Sequence, residues 1–294
     1  MYDIAIIGAG PAGLSAAITA RARNKNVLVL SNEPKNSPLA KASTIENYPG
    51  LPQTSGLDLL EQMVGQASDL GVEFRFGRVI SVLPMEGHFS VTKGDEVIEA
   101  SSVILATGAQ LAKPFVGEAE FLGRGVSYCA TCDGMLYRNS TVCVVGMNSE
   151  ALKEANFLTE IGATVIFLAK KSQELTGLSA EIVVERGSVV EIKGDMMGVI
   201  GLVIKSEETG EEKPIACQGV FILRPSIAPT ALMAGLELNG AFICVDGALQ
   251  TNIAGVFAAG DCIGKPLQVA KAVGEGQRAC LSAIESLDSS FHSK

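Results

Sequence analysis

Cys129-Ala130-Thr131-Cys132-Asp133-Gly134, two thiols spaced by two residues and followed at once by an acid, is the stretch of this chain best equipped for chemistry. Thiols at that spacing close a disulfide across one turn, and a depressed thiolate pKa at such a pair makes one of them a nucleophile. Asp133 stands where a proton can pass to or from a leaving thiolate, the acid/base service that thiol exchange requires. Two plainer uses of the pair have to be weighed. A zinc half-site needs two more Cys or His ligands at suitable spacing. Here Cys143, Cys217, Cys244, Cys262 and Cys280 are scattered singly, with only His88 and His292 beside them, so no metal is expected. A structural disulfide belongs to oxidising compartments, whereas Met1-Tyr2-Asp3 runs straight into a buried-type strand without a secretory-type segment. Redox catalysis is the expected use of this pair, with the other cysteines reduced and mostly in the core.

The elements that must hold such a pair have room to form. A chain of 294 residues suggests about two domains of roughly 150 residues each, and 47% apolar residues supply their cores. No uninterrupted apolar window of about 18 residues occurs, so no membrane span is expected. A soluble, cytoplasmic protein is the default. The net charge of -9 disfavours nucleic acid. Lys35, Lys41, Arg124 and Arg138 are candidate basic contacts for an acidic protein partner, although solvated surface charge accounts for them more simply.

At the N-terminus, Asp3-Ile4-Ala5-Ile6-Ile7 reads as a buried parallel strand, followed by Gly8-Ala9-Gly10-Pro11-Ala12-Gly13 and then Leu14 to Ala20 at helical spacing. In a strand–turn–helix of this kind the first glycine permits the tight turn and the second lets backbone approach a pyrophosphate. The third lets helix and strand pack closely, with phosphates on the helix N-terminus. Val27 to Leu30 supplies a second parallel strand. A ribose-binding acid is expected at its end, where Ser31 and Asn32 stand and Glu33 follows slightly late. Glu33 is the candidate, and the opening of an exposed loop through Pro38 is an equally good account of it.

Together with Glu46-Asn47-Tyr48-Pro49-Gly50, Ala106-Thr107-Gly108-Ala109 and Gly255-Val256-Phe257-Ala258-Ala259-Gly260-Asp261, these motifs make the chain resemble the low-molecular-weight thioredoxin reductases over nearly its whole length. The resemblance implies an α/β fold of two Rossmann-like three-layer dinucleotide-binding domains. The FAD domain would be discontinuous, residues 1–113 and 244–294, with an NADPH-type domain inserted at 114–243. It further implies a homodimer and FAD contacts from Gly8, Gly10, Pro11, Ala12, Gly13, Glu33, Asn47, Thr107, Gly108, Gly260, Asp261, Gln268 and Val269. Asp261 would serve the ribityl and pyrophosphate region. The helix opening near Leu267-Gln268-Val269-Ala270 would turn its amides toward the flavin's pyrimidine edge. By the same resemblance Cys132 meets the flavin, Cys129 exchanges with the disulfide of thioredoxin, and Asp133 is the acid/base. Rotation of the inserted domain about its two connections is implied between those steps.

The inserted segment departs from the family pattern. Its strand Thr141 to Val145 runs into Gly146-Met147-Asn148-Ser149-Glu150-Ala151, where GxGxxA is expected. Asn148 replaces the glycine that would admit a pyrophosphate, and Glu150 adds negative charge where phosphates would sit. After the strand Ala163 to Leu168, the arginine-rich element expected at a 2′-phosphate is replaced by Ala169-Lys170-Lys171-Ser172-Gln173-Glu174. Lysine does not reproduce the bidentate fork of arginine. Intact flavin and dithiol motifs beside degraded NADPH motifs resemble the ferredoxin-dependent flavin thioredoxin reductases, so reduced ferredoxin is the expected electron donor. NADPH dependence, another disulfide partner and a non-catalytic redox sensor are the competing readings.

Overall fold

The computed structural model describes residues 1–109, 114–147, 151–170, 173–224 and 229–291, apart from the side chains of Cys132, Ser290 and Phe291. Two compact units result, residues 1–111 with 228–294, and residues 112–227. The second unit thus ends at 227, where the sequence reading carries the inserted segment on to 243.

The first unit begins as its residue pattern dictates. An apolar run without alternation suits a strand covered on both faces, and Ile4 to Ile7 lie buried in β1 (Tyr2–Ile7). Pro11 occupies the first position of α1 (Pro11–Ala22), where its fixed φ suits a helix and its missing N–H costs nothing. β2 (Val27–Ser31), α2 (Gly56–Asp69), β3 (Glu73–Phe76), β4 (Val79–Met85), β5 (His88–Lys93) and β6 (Glu96–Leu105) follow. Ser55 starts α2 by accepting the Asp58 N–H at 3.0 Å. β1 lies parallel between β2 and β6, with Ile4 opposite Val27 and Ser102, and β3 extends the sheet beyond β2. Ile4, Ile6, Val27 and Val29 share a core with Leu14 and Ala17 of α1 and Leu59 and Leu60 of α2.

The second unit holds β7 (Val126–Ser127), α3 (Ala130–Asp133), β8 (Thr141–Gly146), α4 (Ala151–Glu160), β9 (Thr164–Ala169), β10 (Val183–Asp195), β11 (Gly198–Ser206), β12 (Glu212–Ala216) and β13 (Gly219–Leu223). They form one sheet in the order β12-β11-β10-β9-β8-β13-β7. The strands from β7 to the start of β10 run parallel, and β10, β11 and β12 continue as an antiparallel meander. Alternate residues of β8 serve two cores, Val142 and Val144 toward α4, and Cys143 and Val145 toward the meander. β8 continues into β9 on one side while β13 lies on the other, so a topological switch point falls between the carboxyl ends of β8 and β13. Sheets of this class take ligands at that position.

The chain then rejoins the first unit through α5 (Pro229–Leu232), β14 (Leu238–Asn239), β15 (Phe242–Ile243), β16 (Val256–Ala258) and α6 (Val269–Phe291). β16 pairs parallel with residues 103–105 of β6, whose residues 96–100 pair antiparallel with β5. Strand β6 is where the two ends of the chain are joined. Among the described residues no helix is long and apolar enough to cross a membrane.

Candidate redox site and cofactor cradle

Cys129 is disulfide-bonded and 7% exposed, at the junction between β7 and α3. The side chain of Cys132 lies outside the described residues. Three polar side chains fix the turn. The Ser127 hydroxyl, almost fully buried, lies 2.6 Å from Asp133 Oδ2 and also accepts the Cys129 N–H at 3.1 Å. Thr131 Oγ1 is 3.3 Å from Cys129 Sγ, and Glu154 of α4 accepts the Ala130 N–H at 3.0 Å. Gly134 lets the turn settle on α4, because a Cβ there would press on Ile161 and Leu158 at 3.0 Å. Cys129 and Asp133, both expected from sequence, are therefore held in one turn. Ser127 and Glu154 were not expected; Ser127 stands two residues before the motif, but Glu154 reaches it from another helix.

Reactivity among the described thiols is confined by burial. It pushes the Cys143 thiol well up, Cys217 to about 12, Cys262 to about 11 and Cys280 to about 12. These four carry negligible thiolate at neutral pH and are inert as nucleophiles. Tyr137, whose ring packs edge-on against Phe221 at 5.3 Å, is raised by burial and by the negative charge of Asp133. Directly after the motif, Met135 and Leu136 are 60% and 79% exposed.

In the first unit, the glycine motif shows three different needs. Gly8 has φ +118°, and a Cβ on it would lie 2.1 Å from the Ala106 carbonyl oxygen. A Cβ on Gly13 would lie 1.8 Å from the Gly8 carbonyl oxygen, whereas one on Gly10 would meet nothing within 4 Å. The first and third glycines are required by the chain's own packing, while the second faces open space. Above it the N-terminus of α1, with Pro11, Ala12 and Gly13 in its first turn, has no side-chain cap and no acidic residue. Helix amides left in this way bind phosphate groups.

Residues from both ends of the chain border this cradle. Thr107 and Gly108 follow β6, and Asn47 Nδ2 donates to Gln268 Oε1 at 2.5 Å, just before Val269 opens α6. Gly260 and Asp261 lie in a 3-10 turn, Gly260–Ile263, that Glu275 and Lys271 latch to α6. Glu275 accepts the Gly260 N–H at 3.0 Å, and Lys271 donates to the carbonyls of Gly260 and Gly264 at 3.1 and 2.7 Å. Asp261 Oδ1 is buried without a hydrogen-bond partner. Burial raises its pKa, with Lys271 opposing the rise and Glu275 adding to it. A buried acceptor without a donor is costly, so a hydroxyl-bearing ligand suits this carboxylate as a phosphate suits α1. Glu33 lies just beyond β2 and pairs with Lys35 at 2.8 Å, half exposed.

At the switch point of the second unit, Arg224 follows β13 directly. It is bound bidentately by Glu118, with Nη2–Oε2 at 2.7 Å, and both residues are buried. Phe115 lies under the guanidinium at 4.7 Å and Tyr128 donates to Glu118 at 2.9 Å. Burial pushes the Glu118 carboxyl up, but Arg224, the Phe115 N–H and Tyr128 outweigh it and hold the group below the usual carboxylate range. Neither residue carries a local motif, and their pairing spans 106 positions. Asn148, Glu150 and Lys171 lie outside the described residues. Lys170 follows β9 (Thr164–Ala169) directly, and its backbone carbonyl accepts from Arg186 at 2.7 Å.

Residues 2–276 match the family described as pyridine nucleotide-disulphide oxidoreductase. A thioredoxin reductase of Aquifex aeolicus is 37% identical over 300 residues, covering 97% of this chain and 92% of the relative. One of Treponema pallidum is 34% identical over 299 residues, covering 98% and 97%. The crystal structure of a ferredoxin-flavin thioredoxin reductase from Clostridium acetobutylicum aligns with a TM-score of 0.88 at 40% identity, covering 99% of this chain and 98% of that one.

Proposed function

Because the chain belongs to the thioredoxin reductases of the pyridine nucleotide-disulphide oxidoreductase family, we propose that it reduces thioredoxin with electrons from reduced ferredoxin. The observation that carries this reading is an ordered dithiol turn in a unit whose nucleotide motif has lost its second glycine and its arginines. The likeness to the clostridial ferredoxin-flavin enzyme supports it, and so does an arginine at the switch point already spent on Glu118. The proposal includes a homodimer and a cytoplasmic location, which rest on the family alone.

Gly8, Gly10, Pro11, Ala12, Gly13, Glu33, Asn47, Thr107, Gly108, Gly260, Asp261, Gln268 and Val269 would hold FAD, which would supply two-electron reduction to the Cys129 and Cys132 pair. The Cys129 thiolate then attacks the thioredoxin disulfide, forming one S–S bond as the partner's own breaks. Asp133 gives its proton to the leaving thiolate. Attack by Cys132 on the mixed disulfide re-forms the Cys129–Cys132 bond and releases the second partner thiolate, which takes its proton from solvent. Two electrons and two protons reach thioredoxin.

A donor comparison tests the proposal. Thioredoxin reduction is followed with chemically or photochemically reduced ferredoxin and, separately, with NADPH; turnover with ferredoxin alone is expected, and turnover with NADPH alone refutes it. NADPH dependence is the second reading, favoured by Lys170 and Lys171 in the sequence after β9, which still supply positive charge where the family binds a 2′-phosphate.

Two further results are expected. Met135 and Leu136 expose apolar surface beside the dithiol, so replacing both with serine raises KM for thioredoxin by about tenfold and leaves cofactor reduction unchanged. Equal KM values for variant and parent remove these side chains from the docking face. Asp261 makes FAD affinity depend on pH. Without a ligand its raised pKa keeps the carboxyl protonated to higher pH, and a hydroxyl donated to Oδ1 favours the carboxylate. Binding therefore releases a proton, and FAD affinity strengthens as pH rises from the ordinary aspartate range to the raised value, then levels off. Fluorescence titration at several pH values shows this slope in the parent and its loss in Asp261→Asn; a slope unchanged by the substitution contradicts the assignment.

A further inference from the structure

We propose that Ser127 is a positioning residue for disulfide exchange, holding Asp133 in the same place whether or not the acid carries its proton. This rests on the function proposed above. The Ser127 oxygen lies 2.6 Å from Asp133 Oδ2, 3.2 Å from the Cys129 carbonyl oxygen and 3.1 Å from the Cys129 nitrogen. A hydroxyl has one proton to donate and two lone pairs to accept with, so the two acceptors compete for it. With Asp133 ionised, the hydroxyl proton goes to the carboxylate, the shorter contact. With Asp133 protonated, the acid donates to Ser127 and the hydroxyl turns toward the Cys129 carbonyl. In both states the Cys129 N–H is satisfied and no heavy atom has to move.

The consequence lies in the exchange step. As the Cys129 sulfur bonds to one partner sulfur and the partner's S–S bond breaks, the leaving thiolate takes the proton of Asp133. The new carboxylate then receives the Ser127 hydroxyl proton as a hydrogen bond, already within reach. A preorganised donor of this kind stabilises charge without reorganisation at the moment of transfer. Ser127 also ties the acid to the backbone of Cys129, so acid and thiol keep their spacing.

The test bypasses the natural donor. Enzyme reduced by dithionite, with excess reductant removed, is mixed with oxidised thioredoxin, and single-turnover disulfide reduction is measured for the parent, Ser127→Ala, Ser127→Thr, Asp133→Asn and the Ser127→Ala/Asp133→Asn double variant. Ser127→Ala is expected to slow exchange by about tenfold, part of the factor carried by acid catalysis, and Ser127→Thr to recover most of it. In the Asp133→Asn background, Ser127→Ala is expected to have no further effect. Equal rates for parent and Ser127→Ala overturn the inference, as does a full additional tenfold loss in the double variant, which would mark a packing role. Failure of the parent to reduce thioredoxin under these conditions instead overturns the function on which the inference rests. Thermal melting of each variant separates a folding loss from a slowed step.

Discussion

Replacing Cys129 with serine abolishes thioredoxin reduction, by a factor on the order of 10⁴ or more, while FAD content and thermal stability stay at the parent level. The size follows from removing a nucleophile that works as one unit with its acid, where single knockouts approach the cost of removing the whole group. No other thiol whose pKa burial has raised can take its place. Cys143, Cys217, Cys262 and Cys280 are held protonated by that burial, and a protonated thiol does not attack a disulfide. Stability is retained because serine differs from cysteine by one atom and Thr131 Oγ1, 3.3 Å from Cys129 Sγ, offers the new hydroxyl a hydrogen-bond partner. Stopped-flow mixing of reduced enzyme with thioredoxin measures the loss. A Cys129→Ser enzyme that still turns over would move the interchange role to another group.

The second large effect is expected at Gly8. Alanine there has to adopt φ +118° and place its Cβ 2.1 Å from the Ala106 carbonyl oxygen, so the β1–α1 turn and the end of β6 must separate. Strain and overpacking together cost roughly 3 kcal/mol or more, and because the cradle is built on this contact, FAD is lost on purification. Gly10→Ala is the informative companion. Its Cβ meets nothing within 4 Å, so the ligand-free protein keeps its melting temperature and only FAD affinity falls. Calorimetry of both variants without cofactor, followed by FAD titration, separates the two glycines. A Gly8→Ala protein with unchanged melting and unchanged affinity contradicts the packing account, and a Gly10→Ala protein with unchanged affinity removes Gly10 from the phosphate site.

Features confined to one short stretch were legible in the sequence, and features assembled across the fold were not. The strand, glycine turn and helix at 3–20 could be read because the glycine spacing between an apolar strand and a helix is a local pattern, although the group that demands Gly8 is Ala106, far along the chain. The two cysteines at 129 and 132 could be read because their spacing is itself the chemistry. Ser127 carries no mark in the sequence, and only the turn brings Asp133 back within 2.6 Å of it. Glu154 is one acid among many on an amphipathic helix, and only tertiary packing shows that it accepts the Ala130 N–H. The Glu118–Arg224 pair leaves no local signature at all, since its members are separated by most of a domain. The edge of the second unit, read at 243 from sequence and drawn at 227 by compactness, has a related cause. β14 and β15 have two residues each, too few to show a periodicity, so nothing local marks that residues 228–243 pack with the first unit. Asn47 and Gln268 were each singled out separately, and the structure adds that they are bonded to each other across 221 positions.

The departure of the second unit from the nucleotide pattern carries the most weight. Asn148, Glu150 and the missing arginines after β9 argue against a bound dinucleotide, and the buried Glu118–Arg224 pair places an already neutralised cation at the switch point. The positive charge that Lys170 and Lys171 retain pulls the other way. Adding NADPH to the oxidised FAD-loaded protein under strictly anaerobic conditions, while the flavin absorbance is recorded, decides between them without any partner protein. The flavin band is expected to persist through a large excess of NADPH and to bleach when reduced ferredoxin is added. Rapid bleaching at stoichiometric NADPH would contradict ferredoxin dependence and make this chain an NADPH-dependent thioredoxin reductase.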